Sequence, residues 1–107
     1  MLIPLFYGGK QMYVLIAYDV SVLSAEGRKR LRQVAKACSD YGQRVQNSLF
    51  ECKLEPAEFV ELRSRILDII DTGEDSVRFY QLGKNWKGRI EHYGAKSTYD
   101  IEGSLVV

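Results

Sequence analysis

An α+β domain of the βαββαβ type, with two helices laid across one face of an antiparallel sheet, is the fold class the sequence predicts. Three observations lead to it. The run Met12-Tyr13-Val14-Leu15-Ile16-Ala17-Tyr18 is rich in β-branched and aromatic residues and reads as a buried strand. Two later stretches carry apolar residues at spacings of three and four, the mark of amphipathic helices. Short segments between and after them alternate apolar and polar residues or run apolar, as extended chain does.

Taken in order, the first strand covers residues 12 to 18. The first helix starts near Ser24 or Ala25 and runs to about Ser39, with Leu31, Val34, Ala35 and Cys38 on its apolar face and basic residues over much of the rest. Asp40-Tyr41-Gly42 ends it, with Gly42 suited to a left-handed or turn position. From Gln43 to Leu54 the chain reads as two short strands or one bent strand, broken near Asn47-Ser48. Pro56 suits the first turn of the second helix, whose buried stripe is Phe59, Leu62, Ile66, Ile69 and Ile70, and Thr72-Gly73 closes it. Ser76 to Leu82 is a strand with Val77 and Phe79 on one side and Arg78 and Tyr80 on the other.

The resulting order fits a ferredoxin-like sandwich over residues 12 to 82. Its helices cover one sheet face and leave the other open, so apolar or aromatic residues there call for a homodimer partner or serve as a nucleic-acid platform. Beyond the polar turn Gly83-Lys84-Asn85-Trp86-Lys87-Gly88, Arg89-Ile90-Glu91-His92-Tyr93 offers an extra C-terminal strand, able to extend its own sheet or that of a second subunit. The tail Leu105-Val106-Val107 could do similar edge work, which makes residues 83 to 107 a dimer-associated segment. Residues 1 to 11 read as an appendage: their apolar start lacks the basic flank and cleavage pattern of a secretory signal.

At 107 residues with 46% hydrophobic content, the chain suits one domain whose small core gains from oligomerisation. Cys38 and Cys52 sit in apolar settings without a CxxC spacing, which points to reduced core thiols in a cytoplasmic protein and away from a disulfide framework or structural zinc. No run is long enough to span a membrane. A net charge of +1 does not announce a nucleic-acid binder in bulk. The distribution says more: Arg28, Lys29, Arg30, Arg32 and Lys36 crowd the first helix, and Lys84, Lys87 and Arg89 a late loop.

Asp19 stands where the first strand ends, a place that presents a carboxylate without burying it. Acid followed by base is what metal-assisted work on a phosphodiester needs. An ordinary strand exit before a solvated helix looks the same. Arg28 and Arg30 lie two apart and cannot share one helical face, so they have different partners. Acidic Glu55, Glu58, Glu61 and Asp68 on the second helix suit solvent or a basic protein partner.

Four segments, Tyr13-Val14-Leu15-Ile16-Ala17-Tyr18-Asp19-Val20, Arg28-Lys29-Arg30-Leu31, Arg44-Val45-Gln46-Asn47-Ser48-Leu49-Phe50-Glu51-Cys52 and Asp75-Ser76-Val77-Arg78-Phe79-Tyr80-Gln81-Leu82, together resemble the small CRISPR-associated adaptation protein of the Cas-two family over about residues 12 to 95. Their order and spacing carry the resemblance. It implies a ferredoxin-like homodimer whose two strand-exit aspartates face each other near the two-fold axis. It also implies a magnesium-dependent endonuclease, with manganese able to substitute, acting on single-stranded RNA or double-stranded DNA. The same family forms the central dimer that, with the spacer-integrase protein, captures foreign DNA during CRISPR adaptation.

By resemblance, the metal-binding aspartate falls on Asp19 and its tyrosine on Tyr18. The arginines of the first helix fall on Arg28 and Arg30, the second-strand arginine on Arg44, and the serine-hydrophobic-phenylalanine element on Ser48-Leu49-Phe50. Tyr18, Arg28, Arg30, Arg44, Ser48 and Phe50 thus join Asp19 as the expected catalytic set. The stretch before Met12 departs from the family, which starts its first strand almost at once.

Chemically, one carboxylate is too few for a tight magnesium site. Two copies of Asp19 across a dimer axis could bracket one ion, with water and phosphate oxygens completing the octahedron. The single histidine, His92, leaves acid-base resources thin and reads as structural in the extra strand. Phe50 reads as core or dimer packing, or as a base-stacking ring if exposed. The alternative function is a non-catalytic scaffold gripping DNA phosphates through Arg28, Lys29, Arg32, Lys36, Lys84, Lys87 and Arg89. A small-molecule regulatory domain finds no support in a glycine-rich phosphate loop.

Overall fold

The computed structural model of the chain describes residues 11–82 and 90–95. The expected appendage up to residue 10, the turn carrying Lys84, Trp86, Lys87 and Arg89, and the tail Leu105-Val106-Val107 lie outside the described residues. The elements are β1 (Met12–Asp19), α1 (Ala25–Tyr41), β2 (Gly42–Gln46), β3 (Leu49–Leu54), α2 (Pro56–Ile69), β4 (Ser76–Leu82) and β5 (Ile90–Gly94). No helix among the described residues is long and apolar enough to cross a membrane.

The sheet order is β2-β3-β1-β4-β5 with every pairing antiparallel, the ferredoxin-like arrangement extended by one strand. β1 lies in the centre. Its buried residues Val14, Ile16 and Tyr18 point toward the helices, where Val34, Ala37 and Cys38 of α1 and Phe59, Leu62 and Ile66 of α2 meet them. Phe50, Cys52 and Leu54 of β3 and Val77 and Phe79 of β4 complete this core. Each large apolar side chain so enclosed contributes about 1.5–3 kcal/mol.

Local chemistry sets the ends of each helix. Ser24 caps α1 by accepting the Gly27 N–H through its hydroxyl at 3.0 Å, and Pro56 occupies the first turn of α2 while the Glu58 carboxylate accepts the Glu55 N–H at 2.8 Å. α1 runs on to Tyr41, whose hydroxyl donates to Glu61 of α2 at 2.6 Å, and Asp40 accepts from both Lys36 and Arg65. Gly42 is not left-handed as expected: it is extended, with φ −156°. A glycine is needed there for closeness, because a Cβ would run into the Cys52 sulfur and the Glu51 carbonyl.

The bent stretch after α1 resolves into two strands joined at Asn47-Ser48, with a bulge between Arg44 and Gln46. β5 extends the chain's own sheet beside β4. Tyr93 packs edge-on against Phe79, with centroids 6.1 Å apart, and Glu91 accepts from Arg63 of α2 at 3.0 Å. Both cysteines are free and buried; burial pushes the Cys52 thiol up to about 11, and burial together with the Cys52 nearby pushes Cys38 up to about 12. Neither supplies a thiolate near neutral pH.

Asp75 is fully buried just before β4. Its carboxylate accepts Ser21 N–H at 3.0 Å, Asp71 N–H at 2.9 Å and Arg30 Nε at 2.7 Å. Burial works to raise its pKa, but the Arg30 hydrogen bond, the two backbone donors and the Arg30 charge outweigh it and hold the carboxyl below its usual value. A carboxyl whose folded pKa is depressed stabilises the fold fully above its unfolded pKa of about 3.9 and loses that contribution as pH falls through the lower folded value. Resistance to urea unfolding should therefore fall as pH drops below about 4, and Asp75→Asn should remove this part of the acid slope. The same substitution should cost roughly 3 kcal/mol near pH 7, the low end for a broken buried pair, because the Arg30 side chain keeps 16% exposure. An acid slope unchanged in Asp75→Asn would contradict the assignment.

Candidate functional site

Asp19 is the last residue of β1 and is exposed. Alternation along the strand puts it with Tyr13, Leu15 and Ala17 on the face away from the helices. Register identifies its neighbours there, since directly opposed residues share a face. Tyr13, Leu15 and Ala17 stand opposite Lys53, Glu51 and Leu49 of β3 and opposite Leu82, Tyr80 and Arg78 of β4. Asp19 itself stands opposite Ser76, and Arg78 in turn stands opposite His92 of β5. Arg78 Nε donates to His92 Nδ1 at 3.0 Å, and Arg78 Nη1 donates to the Tyr80 hydroxyl at 3.1 Å.

Tyr18, one residue earlier, points the other way. Its ring stacks on Phe50 with centroids 6.2 Å apart, and the Arg44 guanidinium sits 5.1 Å from the centre of the Phe50 ring. The Tyr18 hydroxyl donates to the Asn47 carbonyl at 3.2 Å, while the Tyr18 N–H donates to the Ser48 carbonyl at 3.1 Å. Burial and the nearby Cys38 push the Tyr18 pKa up against the pull of Arg44. Tyr18, Arg44, Ser48 and Phe50 therefore gather where the β2–β3 hairpin meets the helix side of the sheet, apart from Asp19.

The two arginines of α1 take different partners, as their spacing requires. Arg28 is exposed and donates Nη1 to the Val22 carbonyl at 3.2 Å, in the loop that follows Asp19. Arg30 is held by Asp75, which also takes the Ser21 amide of that loop. The loop packs on the first turn of α1 so closely that a Cβ at Gly27 would collide with the Ser21 carbonyl. In effect, the first helix braces the strand exit that carries Asp19. Lys29, Arg32 and Lys36 line a groove on the helix side with Gln33 and with Arg65, Asp68 and Ile69 of α2.

Among the described residues, no three histidine, cysteine, aspartate or glutamate side chains gather as a metal cage. Asp19 supplies the hard oxygen donor that magnesium prefers, at an accessible strand end, and among the described residues no cluster of further donors joins it. The donor chemistry fits half of a magnesium site.

Sequence reasoning did not single out Asp75, Arg78 or Tyr80, and it read His92 as structural in the extra strand, where the structure sets it opposite Arg78. The alternation of Arg78 and Tyr80 against Val77 and Phe79 was a usable signal for the open face. His92 could be placed beside Arg78 only once the partner of β5 was settled.

The family profile described as CRISPR associated protein Cas2 matches residues 12–90. A protein named CRISPR-associated endoribonuclease Cas2 from Nitratidesulfovibrio vulgaris is 52% identical over 101 residues, covering 94% of this chain and 99% of its own length. One named CRISPR-associated endonuclease Cas2 from Halalkalibacterium halodurans is 50% identical over 95 residues, covering 89% and 99%. The crystal structure of Streptococcus pyogenes Cas2 at pH 6.5 aligns with a TM-score of 0.64 and 61% identity, over 75% of this chain and 96% of that one. The profile match over residues 12–90 and this similarity along nearly the whole length agree, and the chain belongs to the CRISPR-associated Cas2 family.

Proposed function

We propose that the protein is a metal-dependent endonuclease that hydrolyses phosphodiester bonds in single-stranded RNA or double-stranded DNA and takes part in CRISPR adaptation. The observation that carries this reading is Asp19, an exposed carboxylate ending the central strand on the helix-free face. Relatives about half identical to the chain carry the names endoribonuclease and endonuclease.

In this reading the chain works as a homodimer. Asp19 and its counterpart in the second subunit would hold magnesium, or manganese in its place, between them. Such an ion, when bound, lowers the pKa of its water and neutralises charge on the scissile phosphate. Arg28 and Arg30 hold the loop after Asp19, so the carboxylate is fixed before substrate arrives. Tyr18, Arg44, Ser48 and Phe50 hold the adjoining hairpin on the far side of β1. Magnesium should stimulate cleavage of RNA and duplex DNA tested side by side. Asp19→Ala should lower that cleavage about 100-fold or more while leaving the dimer intact on gel filtration. Undiminished cleavage would remove Asp19 from the chemistry.

A second reading, a DNA-binding scaffold for the spacer-integrase protein, is favoured by a separate observation. The exposed basic residues Arg28, Lys29, Arg32 and Lys36 lie on α1, on the other side of the sheet from Asp19. Phosphate contacts there would be sequence-blind and separable from cleavage. Lys29→Glu combined with Arg32→Glu should weaken duplex binding and reduce the log–log salt slope by about 2, whereas Asp19→Ala should leave both unchanged. Equal binding by the double variant and the native protein would exclude α1 as the DNA track.

A further inference from the structure

A carboxylate that works on a phosphodiester needs a cation beside it, because the substrate's own oxygens are negative. The two arginines expected to provide one are engaged elsewhere: Arg28 on the Val22 carbonyl and Arg30 on Asp75. Lys53 shares the open face but lies at the opposite end of β1, across from Tyr13, with its ammonium 5.7 Å from that ring's centre. Among the described residues, the cation adjacent to Asp19 in register and on the same face is Arg78: Asp19 pairs with Ser76, and Arg78 is the next residue of β4 on that side. Diagonal neighbours of this kind lie about 7–8 Å apart, within reach of an arginine.

Arg78 is also oriented. Its Nε donates to His92 Nδ1 and its Nη1 to the Tyr80 hydroxyl, which together fix the plane of the guanidinium. Nδ1 is the accepting nitrogen of that bond, which leaves Nε2 as the ring's N–H. Among the described residues, the charged and titratable groups on this face are Arg78 and Tyr80 from the adjoining β4, Asp19 from β1, and Glu51 and Lys53 from the more distant β3. A planar, pre-set guanidinium matches two phosphate oxygens at once and loses little freedom on binding.

We infer that Arg78 is the phosphate-binding residue of the Asp19 site, and that His92 and Tyr80 are the positioning residues that set its plane for a nucleic-acid phosphodiester. This rests on Asp19 being the hydrolytic centre, and two measurements keep the two claims apart. The first is binding of a fluorescent single-stranded oligonucleotide in EDTA across a salt series. Arg78→Gln should lower the log–log slope by about 0.7 per site, the loss of one phosphate contact. His92→Ala should weaken binding about 3- to 10-fold, and His92→Asn, whose Oδ1 takes the place of Nδ1, should bind within about twofold of the native protein. A packing role alone would lower the thermal midpoint of both His92 variants and leave binding alone. The second measurement is magnesium-stimulated cleavage, in which Arg78→Gln should raise KM. Native salt slopes in Arg78→Gln, or equal binding by His92→Ala and the native protein, would overturn the inference. Cleavage unaffected by Asp19→Ala would overturn the nuclease reading and leave the EDTA series to decide phosphate binding.

Discussion

The buried carboxylate of Asp75 ties together parts of the chain that the sheet alone does not connect. It accepts from Ser21 after β1, from Arg30 on α1 and from Asp71 at the end of α2. Its own carbonyl accepts the Ala95 N–H beyond β5. A charge removed from water costs several kcal/mol unless it is paired and hydrogen-bonded, so this group persists only with all three donors in place. The position of the first helix and the course of the loop after Asp19 both follow from satisfying it. Arg30 contributes to the site as a brace.

Strand alternation imposes a second constraint. Tyr18 and Asp19 are adjacent in sequence and lie on opposite sides of the sheet. The tyrosine joins Phe50 and Arg44 against the helix layer, while the carboxylate joins Ala17, Arg78 and His92 on the open layer. Residues that form one motif along the chain therefore do different physical work. One set holds a hairpin and a helix; the other presents polar groups to whatever approaches the sheet. The basic face of α1 adds a third surface, on the helix side of the sheet.

Much of this was readable from the residues alone. β-branched and aromatic density marked β1, and spacings of three and four marked both helices. The alternation in Ser76 to Leu82 separated Val77 and Phe79 from Arg78 and Tyr80. Gly42 was misjudged because a backbone that must pass close to Cys52 and one that must turn left both select glycine. The Arg30–Asp75 pair spans 45 residues, and nothing local in either segment announces a long-range ion pair. The polar cluster on the open face depended in the same way on which strand β5 would join. Local patterns fixed the elements; long-range pairing fixed the site.

The claim that the Arg30–Asp75 pair anchors this frame is tested most directly by a double-mutant cycle. Urea unfolding would be measured at neutral pH for the native protein, Arg30→Gln, Asp75→Asn and the double variant. A buried, hydrogen-bonded pair predicts a coupling energy of about 1–3 kcal/mol, with the double variant far less damaged than the sum of the single ones. Additivity within about 0.3 kcal/mol would mean that the two side chains stabilise the protein independently, and would contradict the account.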